Sequence, residues 1–195
     1  MALTSVTTEG RAQLAQGTPP TSGFYLDGGV GAGLRGRQEA LGEPVTGLPL
    51  ALYTAFGYER GLTPRWSARI AAGGLRVWRR GLAGDAPFRA RAWRVAAVAQ
   101  AGFRASGPLT LYGGVEARNG RDVRDFDRRL DDNVRLRVRL DAVYAICPRV
   151  DVTAALSTTL ASERDARLLV DPGTLIGVGL RYRLRRAPSP PTSRT

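Results

Sequence analysis

The chain has no histidine and no lysine, and only one cysteine and one methionine in 195 residues. Each absence excludes something. Without histidine there is no Ser-His-Asp or Cys-His catalysis and no usual zinc site. The single cysteine, Cys147, allows no intrachain disulfide and reads as a small residue at the end of a strand. No run approaches the ~20 apolar residues that a membrane helix needs, and mean hydropathy is -0.19. This excludes helical spans only, because half of each membrane β-strand is polar and escapes hydropathy.

With lysine absent, all 29 basic residues are arginine; against 17 acids they give a net charge of +12 and a pI near 11.2. Such a balance first suggests nucleic acid. The distribution argues against it, since many arginines recur singly at alternate positions and the rest are mixed with acids. No uninterrupted basic run of five appears. At 43% hydrophobic residues, the chain is long and apolar enough for one ordinary domain. Residues 1–22, "MALTSVTTEGRAQLAQGTPPTS", lack the apolar core of a signal peptide. They read as a flexible lead-in, so an exported form would have lost its leader or would start earlier. Residues 186–195, "RAPSPPTSRT", read as a disordered Pro/Ser-rich tail.

Between them, in residues 23–185, strict alternation is found eight times, the mark of β-strands. The clearest stretch is "VRLRVRLDAVYAIC", Val134 to Cys147. Val134, Leu136, Val138, Leu140, Ala142, Tyr144 and Ile146 face one way, and Arg135, Arg137, Arg139 and Asp141 the other. The other strands are "FYLDGGVGAGLR", "LPLALYTAFGYE", Trp66 to Trp78, "WRVAAVAQAGFRA", "LTLYGGVEAR", "VDVTAALSTTL" and "IGVGLRYRL". In the third, Trp66, Ala68 and Ile70 are out of phase with Leu75 and Val77, which predicts a bulge at Gly73-Gly74.

The connections alternate too. "RGLTPR", "SGP" and "PR" are tight, whereas "GRQEALGEPVTG", "RRGLAGDAP", "NGRDVRDFDRRLDDN" and "ASERDARLLVDPGT" are long and polar. In an up-and-down meander every second connection lies at the same end, so the short turns share one end and the long loops the other. That is the asymmetry of outer-membrane barrels.

Aromatics and charge indicate which face is inside. On the apolar face Phe24, Tyr58, Trp66, Phe103, Tyr144 and Tyr182 all fall at the short-turn end, as an interfacial girdle would. Trp78, Phe88 and Trp93 would begin a second ring at the other end. An arginine facing lipid near the midplane costs ~2–4 kcal/mol, so Arg137, Arg139 and Asp141 belong in the lumen. The expected lumen network is Asp27, Arg94, Glu116, Arg135, Arg137, Arg139, Asp141, Asp151 and Arg181, with Glu59 a further acid. Glu116 and Arg137 make the best single pair. A lumen enclosed by eight strands is only wide enough for side chains to fill.

In strand count, loop asymmetry, girdle and charged lumen, residues 23–185 resemble the small eight-stranded outer-membrane barrels of the OmpA and OmpX type. The resemblance implies an all-β, eight-stranded, antiparallel up-and-down transmembrane barrel in the outer membrane of a diderm bacterium. Members commonly end on an aromatic residue of the last strand, whereas this chain runs on past Tyr182.

Little in the sequence points to chemistry, and no enzyme, cofactor or metal is expected. Nothing places two carboxylates across a cleft. "GGVGAG" lies within a strand with no helix to follow, so it is no phosphate cradle. The acids of "RDVRDFDRRLDDN" lack the glycine and terminal glutamate of an EF-hand, and arginines neutralise them. Expected partners are membrane lipid and envelope polysaccharide or other envelope proteins, but not nucleic acid. The candidate interaction loop is Asn119 to Asn133, through Arg121, Asp122, Arg124, Asp125, Phe126, Asp127, Arg128, Arg129, Asp131 and Asp132. Three readings remain: a non-enzymatic barrel with a structural, envelope-integrity or surface-interaction role, a narrow pore, or a soluble lipocalin-like carrier with an apolar lumen.

Overall fold

The structure, a computed structural model, describes residues 22–34, 39–40, 43–44, 47–83, 85–124, 130–159 and 173–184. The lead-in and tail segments proposed above, 1–22 and 186–195, lie outside these except for Ser22. Ten strands are described: β1 (Gly23–Gly33), β2 (Glu39–Ala40), β3 (Glu43–Pro44), β4 (Leu50–Gly61), β5 (Trp66–Ala83), β6 (Ala86–Arg104), β7 (Leu109–Arg124), β8 (Leu130–Cys147), β9 (Val150–Thr159) and β10 (Thr174–Arg183). β2 and β3 form a small ribbon of their own. The other eight close into an antiparallel barrel in which each strand pairs with its sequence neighbours and β1 pairs with both β4 and β10. At the seam Val30 lies opposite Leu52 on one side and Val178 on the other. Closure matters because lipid offers no partner to an unpaired amide, so a spanning sheet must have no edge.

The alternation sorts the two faces of the wall. On β8, Leu136 and Leu140 are 56% and 50% exposed on the outside, while Arg137 is fully buried and Asp141 nearly so. The same division runs round the barrel. Phe24, Trp66, Phe103, Tyr144 and Tyr182 are exposed at the end where Leu62–Arg65, Ala105–Pro108 and Pro148–Arg149 connect the strands. Half-buried Tyr58 packs against Phe24 with the rings tilted at 56° and their centroids 5.0 Å apart. Trp78 and Trp93 lie on the outer face nearer the opposite rim; the Phe88 side chain lies outside the described residues.

Two expectations need correction. No bulge interrupts β5, whose register passes unbroken through Gly73 and Gly74 to both neighbours. Leu75 and Val77 are simply lumen residues, 4% and 1% exposed, and Arg76 faces outward. The phase change is in chemistry, not geometry: above the lipid-facing belt the outer face can carry charge and the lumen can be filled with aliphatic side chains. The described register shifts lie elsewhere, between Arg118 and Gly120 and between Ala145 and Cys147. Second, two of the four long connections are mostly strand. β5 and β6 pair up to Ala83 opposite Ala86, so "RRGLAGDAP" is a tight hairpin tip on long strands. β7 and β8 together take in all of Asn119–Asn133 except 125–129. β5 to β8 are 16–19 residues long, whereas β1, β4, β9 and β10 have 10–12. A tilted membrane strand needs only ~9–11, so one half of the wall stands above the other.

Glycines inside the wall make room for tyrosines. Tyr25 lies directly opposite Gly57, and Tyr112 opposite Gly102. A Cβ at Gly57 would fall 2.3 Å from the Tyr25 ring, and one at Gly102 2.4 Å from the Tyr112 ring. Tyr53 crosses two glycines in one row, Gly29 and then Gly179, and its hydroxyl reaches that of Thr153 at 3.3 Å. Rings laid over glycines fill a bore too narrow for two large side chains at one level.

All three tryptophans of the chain, Trp66, Trp78 and Trp93, sit on the outer face. In vesicles of brominated lipid their fluorescence should be strongly quenched, most by bromines placed near the headgroups. Unquenched emission from the folded barrel would contradict a lipid-facing outer wall.

Candidate functional site

The lumen holds the densest set of charged side chains. Among the described residues, six arginines and five carboxylates are buried there. Isolated charges in such a site would each cost several kcal/mol, so their arrangement decides whether the barrel is stable.

Nearest the short turns, Arg183 donates from Nε to Asp151 Oδ2 at 2.8 Å. Next comes a cluster drawn from seven strands. Arg181 reaches Asp27 at 3.4 Å and Glu59 at 3.8 Å, with its guanidinium 4.2 Å from the Tyr25 ring centroid. The Tyr112 hydroxyl donates to Glu59 at 2.5 Å. Arg69 lies 3.7 Å over the Tyr112 ring, pairs with Asp141 and donates from Nε to Gln100 Oε1 at 2.8 Å. Arg139 donates to the same Asp141 at 3.0 Å. Cation–π contact and ion pairing therefore act on the same guanidiniums, and both strengthen away from water.

A second cluster lies towards the opposite rim. Arg118 grips Glu116 with two parallel bonds of 2.6 and 3.0 Å, the bidentate geometry that makes arginine–carboxylate pairs strong. The Ser157 hydroxyl donates to Glu116 at 2.8 Å and accepts from Arg137 Nε at 2.7 Å. Arg137 also donates to the Ser157 carbonyl at 2.9 Å. Glu116 and Arg137 are direct cross-strand neighbours, and Ser157 on β9 connects them. Between the clusters, a cavity of about 40 Å³ is bounded by Tyr53, Leu75, Glu116, Arg118, Arg139 and Ser157. That is room for a few water molecules and nothing larger.

Of the residues expected in the lumen, Asp27, Arg94, Glu116, Arg137, Asp141, Asp151 and Arg181 are buried there, and Arg139 is largely so. Arg135 has its backbone in β8 opposite Arg118; its side chain lies outside the described residues. Sequence reasoning missed Arg69 and Arg118 as network members, and Tyr25, Tyr53, Tyr112, Gln100 and Ser157 as their partners. Arg69 was obscured by the assumed bulge, although plain alternation from Trp66 puts it inside. In the candidate interaction loop, Arg121, Asp122 and Arg124 belong to β7, and Asp131 and Asp132 to β8. Asp125, Phe126, Asp127, Arg128 and Arg129 lie outside the described residues.

No protein-family model and no curated protein matches the sequence. Solved structures do match the barrel. The outer membrane protein OprG from Pseudomonas aeruginosa superposes with a TM-score of 0.52 at 13% identity, covering 88% of this chain and 99% of that one. The attachment invasion locus protein Ail of Yersinia pestis aligns with a TM-score of 0.48 at 13% identity, covering 84% and 97%. The likeness to OprG is one of fold. Together with the closed eight-stranded wall, apolar outside and charged inside, it defines the class: a small transmembrane β-barrel of the outer-membrane type.

The lumen geometry makes a quantitative prediction. Glu116→Ala leaves Arg118 buried without its carboxylate and should destabilise the barrel by about 3–5 kcal/mol. Ser157→Ala, which removes one neutral hydroxyl, should cost about 1–3 kcal/mol. The double variant Glu116→Ala/Arg118→Ala should recover part of the first loss, because the two residues act as a unit. Urea unfolding of the refolded barrel reads all three, and strictly additive losses would contradict a coupled pair.

Proposed function

We propose that this chain is a non-enzymatic barrel of the outer membrane of a diderm bacterium. In this reading it is a rigid wall that holds two tall hairpins, β5–β6 and β7–β8, above the cell surface for contact with envelope polysaccharide or another envelope protein. The observation that carries it is the unequal height of the wall. Strands of 16–19 residues continue, paired, well beyond the length that lipid requires. At about 3.3 Å per residue and a tilt near 40°, the excess projects roughly 20 Å. A scaffold that positions surface segments is a common use of a stable barrel.

The lumen supports a structural reading over a pore, since among the described residues paired arginines, carboxylates and tyrosines fill it, and the cavity between the two clusters has room for only a few water molecules. The soluble carrier needs an apolar lumen and a charged outer wall. This barrel has the reverse, with charged side chains buried in the lumen and large apolar ones exposed on the wall.

Two measurements test the proposal. In planar bilayers the unmodified barrel should show no steady conductance; large, stable steps would favour the pore. Replacing Asn119–Asn133 by a tight turn should leave the barrel folded, while weakening partner cross-linking or envelope integrity in cells. A shortened barrel that folds, with envelope and complexes unchanged, would remove the β7–β8 hairpin from the proposal.

A further inference from the structure

The outward face of the β5–β6 hairpin has a composition found nowhere else on the described wall. β5 presents Arg76, Trp78 and Arg80, and β6 presents Arg89, Arg91 and Trp93. The register sets Arg76 opposite Trp93, Trp78 opposite Arg91, and Arg80 opposite Arg89. Directly opposed residues on a sheet face have Cβ atoms only ~4.5–5.5 Å apart. Four guanidiniums and two indoles thus form a patch three rungs tall. The four arginines are exposed, and a shallow recess runs among them.

The height of the patch is as informative as its charge. From Trp66 to Arg76 on β5, and from Phe103 to Trp93 on β6, is about ten residues, the length a tilted strand needs to cross the hydrocarbon. Between these points the outer face is uncharged, with alanine, glycine, Ile70 and Val95. Arginine therefore begins where the apolar belt ends, at the headgroups of the far leaflet, and Trp78 and Trp93 are placed as interfacial tryptophans are.

Among the described residues no carboxylate pairs with any of the four, whereas Arg69, Arg118, Arg139 and Arg181 of the lumen each have one. Like charges directly opposite one another, as at Arg80 and Arg89, destabilise a sheet. An anion between them would turn that repulsion into attraction. The planar guanidinium fork suits a phosphate in particular, which it binds through two bonds at once.

We propose that this patch is a binding site for the phosphate groups of an anionic lipid in the outer leaflet. The inference rests on the outer-membrane reading above and deepens it. The lipid would dock laterally, acyl chains along the alanine-rich belt and phosphates in the arginine rungs.

The test uses the full chain, refolded in zwitterionic bilayer discs, and titrates in a phosphorylated lipid A or its dephosphorylated form. Variants are Arg80→Gln/Arg89→Gln and Arg76→Gln/Arg91→Gln, with Arg60→Gln/Arg65→Gln at the short-turn end as control. Circular dichroism confirms folding, and the second variant serves if the first does not fold. Expected are tighter binding of the phosphorylated lipid, a loss of about tenfold or more in either patch variant, and no change in the control. Equal binding of the two lipids, or patch variants that bind like the control, would overturn the proposal. Displacement of the lipid by inorganic phosphate at equal concentration would also overturn it, by assigning the site to free phosphate. A chain that does not insert into the discs at all would instead refute the outer-membrane reading.

Discussion

Hydrocarbon solvates neither a charge nor an unpaired amide, and the rest of this structure depends on that. The amides force the sheet to close, which it does between β1 and β10. The charges force every arginine at lipid depth to the inside. Once arginines are inside a bore of eight strands, they must find carboxylates within it. The wall and the lumen network are thus two results of one constraint.

The lumen meets that constraint with fewer acids than bases. Six buried arginines face five buried carboxylates among the described residues. The difference is taken up by neutral groups. Tyr25 and Tyr112 offer ring faces to Arg181 and Arg69, and Ser157 accepts from both Arg137 and Arg118. Those rings fit only because glycines stand opposite them. Gly57 of β4 and Gly102 of β6 are therefore part of the electrostatics: without them Tyr25 and Tyr112 could not take the places in which they meet Arg181 and Arg69.

Much of the fold was legible in the sequence, for the same physical reason. Within lipid, side-chain polarity is dictated by face, so "VRLRVRLDAVYAIC" states its own orientation. The girdle end was legible because aromatic residues prefer the interface whichever strand they occupy. Above the lipid the rule lapses, and legibility with it. "RRGLAGDAP" and "NGRDVRDFDRRLDDN" are polar on both faces, which makes a paired strand in water look like a loop. The same lapse made Leu75 and Val77 look out of register. Within the lumen, alternation could say that Arg69 and Glu116 point inward but not which partner each finds. Partner choice depends on shear between strands, and on a third strand, as when Ser157 joins Glu116 to Arg137.

The unequal strand lengths have a consequence for how this surface avoids its own kind. The described pairing of β8 with β9 stops at Arg137, and that of β5 with β4 at Trp78. Inside the membrane the sheet has no beginning or end; above it, the described pairing becomes an open four-stranded ribbon bounded by β5 and β8. Open ribbons stack edge to edge unless something discourages them, and charged side chains along the edge are one deterrent. Closure gives the submerged wall this protection without any particular sequence. Above the rim the protection has to be written residue by residue. Crowded copies in one membrane would then be kept apart by the exposed Arg80, on the strand where a neighbouring ribbon would otherwise add itself.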